Sequence, residues 1–143
     1  MNPLNVQFSC KSPATNQQVI ERLNELENTI YNPSYRNKRV ISIITSPMPV
    51  INVNKTDVFL ITALSEAASF IAPIGTPTDQ QQVIVRIKDN GTAQSLSWDS
   101  IFRDSSDLPL PNTTIVGKTL YLGFQYNLTD NKWDLLALLN NSS

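Results

Sequence analysis

The spacing of apolar residues changes character once along this chain, close to residue 39. Before that point the first thirteen residues show no sustained period, only a brief alternation at Leu4, Val6 and Phe8, so residues 1–14 read as an extended N-terminal arm. Thr15-Asn16-Gln17-Gln18 has the Thr-x-x-Gln form of a capping box, in which the two side chains satisfy orphan backbone N–H groups at a helix start. Val19, Leu23, Leu26 and Ile30 follow at spacings of four, three and four, two heptads of an a/d seam, with Glu21, Arg22, Glu25 and Glu27 off it. This pattern predicts a helix of roughly 16 residues whose narrow stripe cannot be stable alone. Its partner is either the β-domain of the same subunit or further copies of the chain around a symmetry axis. Self-association through Val19, Leu23, Leu26 and Ile30 is the reading favoured, with three copies preferred over two. Pro33 ends the helix, and residues 15–38 form a helix and linker for attachment.

From residue 39 the period is that of strands. Residues 39–45 are β-branched and apolar, residues 57–62 and 69–72 read as short strands, and residues 82–88 alternate Val83, Val85 and Ile87 against Ile84, Arg86 and Lys88. Asp89-Asn90-Gly91-Thr92 is a turn signal, because Asn-Gly tolerates left-handed backbone. Leu96 and Trp98 carry the next inward face. The surest hairpin joins residues 119–126 to residues 132–139, where Trp133, Leu135, Ala137 and Leu139 fall on one face. Leu136 and Leu138 then face the helix or another subunit. Some seven short strands between Pro/Gly/Asn-rich turns predict an all-β fold, an antiparallel β-sandwich of jelly-roll-like form over residues 39–143.

Charge and composition narrow the function. Lys+Arg 11 against Asp+Glu 12 gives a net charge of -1, which argues against nucleic acid as partner because phosphate neutralisation needs clustered cations. The run Arg36, Lys38 and Arg39 reads as a solvated face. No charged-then-apolar leader opens the chain and the apolar run from Leu135 to Leu139 is far too short for a membrane span, so a soluble product without membrane contact is expected. Asn-x-Ser/Thr triplets such as Asn112-Thr113-Thr114 reflect turn chemistry.

Chemistry is hard to find. Histidine is absent and Cys10 is the single cysteine, which removes the commonest general base, the commonest zinc ligand and any internal disulfide. Asp99, Asp104 and Asp107 lie near one another without the spacing of a calcium loop, and read as turn caps. Asp99 with Asp134 satisfies the bare arithmetic of a carboxylate-pair glycosidase, with nothing else to mark them for that work. The expectation is a protein that is not an enzyme, with no catalytic residue, metal or cofactor.

The stretch from Val58 to Leu139 also resembles a C-terminal β-domain of tailed-bacteriophage tail and other virion structural proteins. The matching pieces are Asp57-Val58-Phe59-Leu60-Ile61-Thr62, Gly75-Thr76-Pro77-Thr78-Asp79-Gln80-Gln81 and Val85-Arg86-Ile87-Lys88-Asp89-Asn90-Gly91-Thr92. Most distinctive is the close, Gly117-Lys118-Thr119-Leu120-Tyr121-Leu122-Gly123-Phe124 followed by Lys132-Trp133-Asp134-Leu135. Its Gly-Lys-Thr is not a P-loop, since the upstream glycines and following helix are missing. The resemblance implies a structural component of the virion, assembled in the host cytoplasm, such as a capsid decoration, head-fibre or tail-associated protein. Its implied partners are copies of itself and other virion proteins. The alternative it implies is a receptor- or carbohydrate-binding module that meets a host-surface glycan. Two departures stand out: Gln80-Gln81 replaces the Gly-Gln common before the central strand, and the unit is not the end of a long fibre.

Overall fold

The computed structural model describes residues 16–23 and 37–141, the latter with side chains to residue 140. The chain divides into two units, Met1–Asn37 and Lys38–Ser143. In the first, residues 16–23 form a helix whose residues are all exposed. Thr15, Leu26 and Ile30 lie outside the described residues, so the expected cap and half of the expected seam do too.

The second unit is built of strands: β1 (Val40–Ile43), β2 (Val58–Leu64), β3 (Ala68–Phe70), β4 (Gln82–Asp89), β5 (Leu96–Trp98), β6 (Phe102–Arg103), β7 (Thr119–Asn127) and β8 (Lys132–Asn141). Six of them form a mixed sheet in the order β1-β2-β4-β7-β8-β6, and β3 with β5 forms a second, two-stranded sheet. The alternation read in the sequence decides which side of the large sheet is core. In β4, Val83, Val85 and Ile87 are buried; in β7, Leu120, Leu122, Phe124 and Tyr126 are. A register shift in β2 between Ile61 and Leu64 brings Leu64 inward beside Phe59 and Ile61.

The pairing differs from the all-antiparallel arrangement expected. β4 with β7 and β7 with β8 are antiparallel, whereas β1 with β2, β2 with β4, β6 with β8 and β3 with β5 are parallel. Parallel neighbours need a crossover of about a dozen residues or more. Residues 44–57 and 65–81 are long enough, so the proline clusters there punctuate crossovers instead of tight hairpins. Both crossovers contribute to the core: Ile51 and Val53 from the first, Ala68 and Phe70 from the second. Ile51, Val53 and Pro73 meet Val83, Phe102, Phe124 and Trp133 around one small void.

Aromatic rings join the small sheet to the large one. Trp98 stacks on Phe70 at 4.2 Å between centroids and lies 5.4 Å from Phe102 and 5.8 Å from Phe124. Trp98 is half-buried, with its indole N–H donating to the Pro111 carbonyl at 2.8 Å, while Trp133 is fully enclosed and tilts on Tyr126 at 5.0 Å. The Asp89–Thr92 turn forms as expected, but it hands the chain from β4 to the small sheet. Buried Asp89 accepts from the Gly91 N–H at 3.0 Å and the Gly117 N–H at 3.2 Å, fastening that turn to the start of the β7 hairpin. Gly91 and Gly117 have φ of 99° and 73°, backbone that glycine adopts without cost.

The final strand departs from the alternation expected of it. A bulge opposite Gly123 and Phe124 inserts Leu136 between Leu135 and Ala137. Alternation therefore slips by one: Trp133, Leu135 and Leu138 turn toward the core, and Ala137 and Leu139 lie on the opposite face with Gly123 and Tyr121. Leu136 and Leu139 are the exposed leucines of this strand, and Leu138 is partly buried against the core.

Candidate functional site

Three groups of residues could do something beyond folding, and the first is the helix stripe. Val19 and Leu23 are each about half exposed (51% and 55%) one turn apart. Ile20, at 52%, lies between them in sequence and widens the apolar face beyond the strict seam. Sequence reasoning passed over Ile20, although its place one residue past a seam position was the available signal. Leu26 and Ile30, the other two seam residues, lie outside the described residues.

The second is the face of the six-stranded sheet away from the core. Registered rows cross it: Val40, Val58, Ile84, Gly123 and Ala137 in one, Ser42, Leu60, Arg86, Tyr121 and Leu139 in the next. The first row is wholly apolar because glycine and alanine stand where β7 and β8 cross it. The second is mixed, the Arg86 guanidinium lying 6.0 Å from the Tyr121 ring centroid. Thr62, Arg86, Lys88, Thr119 and Tyr121 line a shallow depression of about 260 Å³ here.

The third is the set of carboxylates singled out in the sequence, and local bonds occupy most of them. Asp99 accepts from the Ile101 N–H at 2.9 Å and Asp104 from the Leu110 N–H at 2.7 Å. Both shape loops. Among the described residues no group of three His, Cys, Asp or Glu side chains is placed to hold a metal ion. Asp134 receives two hydrogen bonds from Arg103, at 2.6 and 2.9 Å, and Arg103 also pairs with Asp130 at 2.9 Å. The hydrogen bonds from Arg103 hold the Asp134 carboxyl below the usual aspartate range, against the opposing effect of partial burial. A carboxylate so held is a poor general acid, because general-acid work needs a raised affinity for the proton. Arg39, from the basic run, is likewise engaged: its guanidinium grips Asp57 at 2.7 and 3.0 Å and its backbone N–H donates to the same carboxylate at 2.8 Å.

The Arg103–Asp134 pair predicts a pH response. Because Asp134 binds its proton less readily in the folded chain, the pair's contribution is complete above the ordinary aspartate value of about 4 and is lost as pH falls through the lowered one. Carboxyl carbon shifts followed by NMR should show Asp134 titrating below the free-aspartate value, and Arg103→Ala should move its midpoint up. An unchanged midpoint in that variant would assign the shift to something other than Arg103.

No protein-family model, no curated protein and no solved structure matches this chain. Among the described residues no helix is long and apolar enough to cross a membrane.

Proposed function

We propose that the chain is a structural component of a tailed-bacteriophage virion, a capsid decoration, head-fibre or tail-associated protein that acts through contacts with its own copies and with other virion proteins. It is not an enzyme in this reading. The observation that carries it is the closing segment on which the resemblance rests: Leu120, Leu122, Phe124, Trp133 and Leu135 are the buried positions of β7 and β8 at the heart of the large sheet. Residues of that kind define a module's framework rather than a catalytic site. The division of the chain supports the same reading, since a β-module is preceded by a segment whose helix offers Val19, Ile20 and Leu23. We read the large sheet facing the β3–β5 sheet as a reduced sandwich, set apart from an ordinary jelly roll by its parallel pairs.

Quantitative mass spectrometry of density-purified particles tests this. The chain should co-purify at a fixed number of copies per particle and resist a salt wash. A chain found only in the unassembled fraction would overturn the proposal.

The second reading, a glycan-binding module, is favoured by the depression beside Tyr121. An aromatic ring with Arg86, Lys88 and Thr119 around it suits a sugar, and the other candidate ring, Trp98, is taken up by its stack on Phe70. Binding to a glycan array that disappears in Tyr121→Ala would promote this reading, and an array without signal would remove it.

A further inference from the structure

Two of the three arginines in residues 37–141 are neutralised where they stand, Arg39 by Asp57 and Arg103 by Asp130 and Asp134. Arg86 is the exception. It has no carboxylate partner among the described residues, and neither has Lys88, two positions further along β4 on the same outward face. Their registered neighbours are Leu60, Tyr121 and Thr119, with Leu139 beyond Tyr121, and none of these is acidic. Two cations set roughly 7 Å apart along one strand therefore make this part of the sheet face positive. A pair of surface cations alone is an ordinary solvated face, and what sets this pair apart is the company it keeps.

We propose that the depression lined by Thr62, Arg86, Lys88, Thr119 and Tyr121 binds a sugar ring that carries a carboxylate, the acid lying between Arg86 and Lys88 and the ring against Tyr121. This rests on the second reading above, a glycan-binding module, and names the class of glycan. The space of about 260 Å³ falls below the roughly 300–1,000 Å³ of clefts that take drug-sized molecules, so it suits a single ring. A guanidinium fork matches a carboxylate in its plane, and hydrogen bonds between ionised groups are about twice as strong as neutral ones. The Arg86 guanidinium lies 6.0 Å from the Tyr121 ring centroid, the outer limit of a cation–π contact, so the ring orients the cation without covering it.

The hydroxyls around the depression favour a sugar acid over a bare anion. Thr62 donates its hydroxyl proton to the Ile43 carbonyl at 3.2 Å, so toward a ligand its oxygen offers lone pairs only. A sulfate or acetate ion, which only accepts, is repelled by that oxygen, whereas a sugar hydroxyl donates to it. The Thr119 and Tyr121 hydroxyls take no hydrogen-bond partner among the described residues and serve as donor or acceptor. The site thus combines cationic donors, a committed acceptor, two adaptable hydroxyls and an aromatic ring, the set that an acidic sugar uses in full. All five side chains stand on β2, β4 and β7, neighbouring strands inside the six-stranded sheet, which holds them more firmly than loops do.

Titration of the purified full chain, followed through backbone amide shifts by NMR, tests the proposal. The probes are the methyl glycosides of glucuronic acid, N-acetylneuraminic acid and glucose, with sodium acetate and sodium sulfate as bare anions. At least one of the two acidic sugars should bind tenfold or more tightly than the glucoside or either anion, should shift the amides of Arg86, Lys88 and Tyr121, and should weaken as salt is added. Arg86→Gln and Lys88→Gln should each bring that affinity down to the level of the glucoside. Arg86→Lys, which keeps the charge and loses the fork, should fall between. Equal binding of acidic and neutral sugars would overturn the acidic site and leave the glycan reading standing, whereas binding of no sugar would end both. Acetate or sulfate binding as tightly as the acidic sugars would also overturn it, reducing the depression to an ion site. Where a variant loses its far-ultraviolet spectrum, the ranking of the five probes on the unaltered chain decides.

Discussion

Replacing Trp133 by alanine is expected to remove about 3–5 kcal/mol of unfolding free energy, the combined cost of lost burial and the cavity left behind. Trp133 is 2% exposed, leans on Tyr126, and borders the small void where both the first crossover (Ile51, Val53) and Phe102 reach the large sheet. Its loss therefore strips contacts from the layer above the sheet as well as from the sheet itself. Against a total of about 5–15 kcal/mol for an ordinary domain, this is a large fraction. The melting temperature should fall by roughly 12 °C or more at the usual ratio for domains near 100 residues. Phe124→Ala should behave alike, since that ring touches both Trp98 and Phe102. Leu136→Ala, at the exposed bulge, should stay within about 0.5 kcal/mol of wild type. Thermal melts in which Trp133→Ala overlays the wild type would contradict the core described here.

The second large effect is expected from Leu23→Asp combined with Leu26→Asp. In a helix seam these changes place carboxylates where apolar contacts must close, and an unpaired buried charge costs far more than two short heptads can supply. The proposed oligomer should dissociate while the β-module keeps its far-ultraviolet spectrum, because among the described residues the buried core starts at Ile51. Ile20→Asp should weaken association too, since Ile20 widens the same stripe. An unchanged assembly in the double variant would take the helix out of the interface.

Much of the β-module was legible because alternation directly encodes which side chain is buried. Val83, Val85 and Ile87, and Leu120, Leu122 and Phe124, have the burial their spacing predicts. What alternation does not encode is which strand lies beside which. β1, β2 and β4 read the same whether paired parallel or antiparallel, and only the length of residues 44–57 and 65–81 hinted at crossovers. The bulge at Leu136 was hidden for another reason: in Leu135-Leu136-Ala137-Leu138-Leu139 every residue is apolar, so a slip of one leaves no mark on the pattern. β6 was missed because two residues carry no period at all. Of the candidate site, Val19 and Leu23 of the expected stripe are among the described residues and exposed, whereas which strand lies at the edge of the sheet was not legible. An edge is a property of strand order, and strand order came only with the structure.

Sedimentation of the intact chain over micromolar concentrations tests the central claim, that this protein works through contacts with its own copies, most directly. A defined oligomer, three copies preferred, is the expected result, and Leu23→Asp with Leu26→Asp should reduce it. A single 16.0 kDa species at every concentration would contradict it.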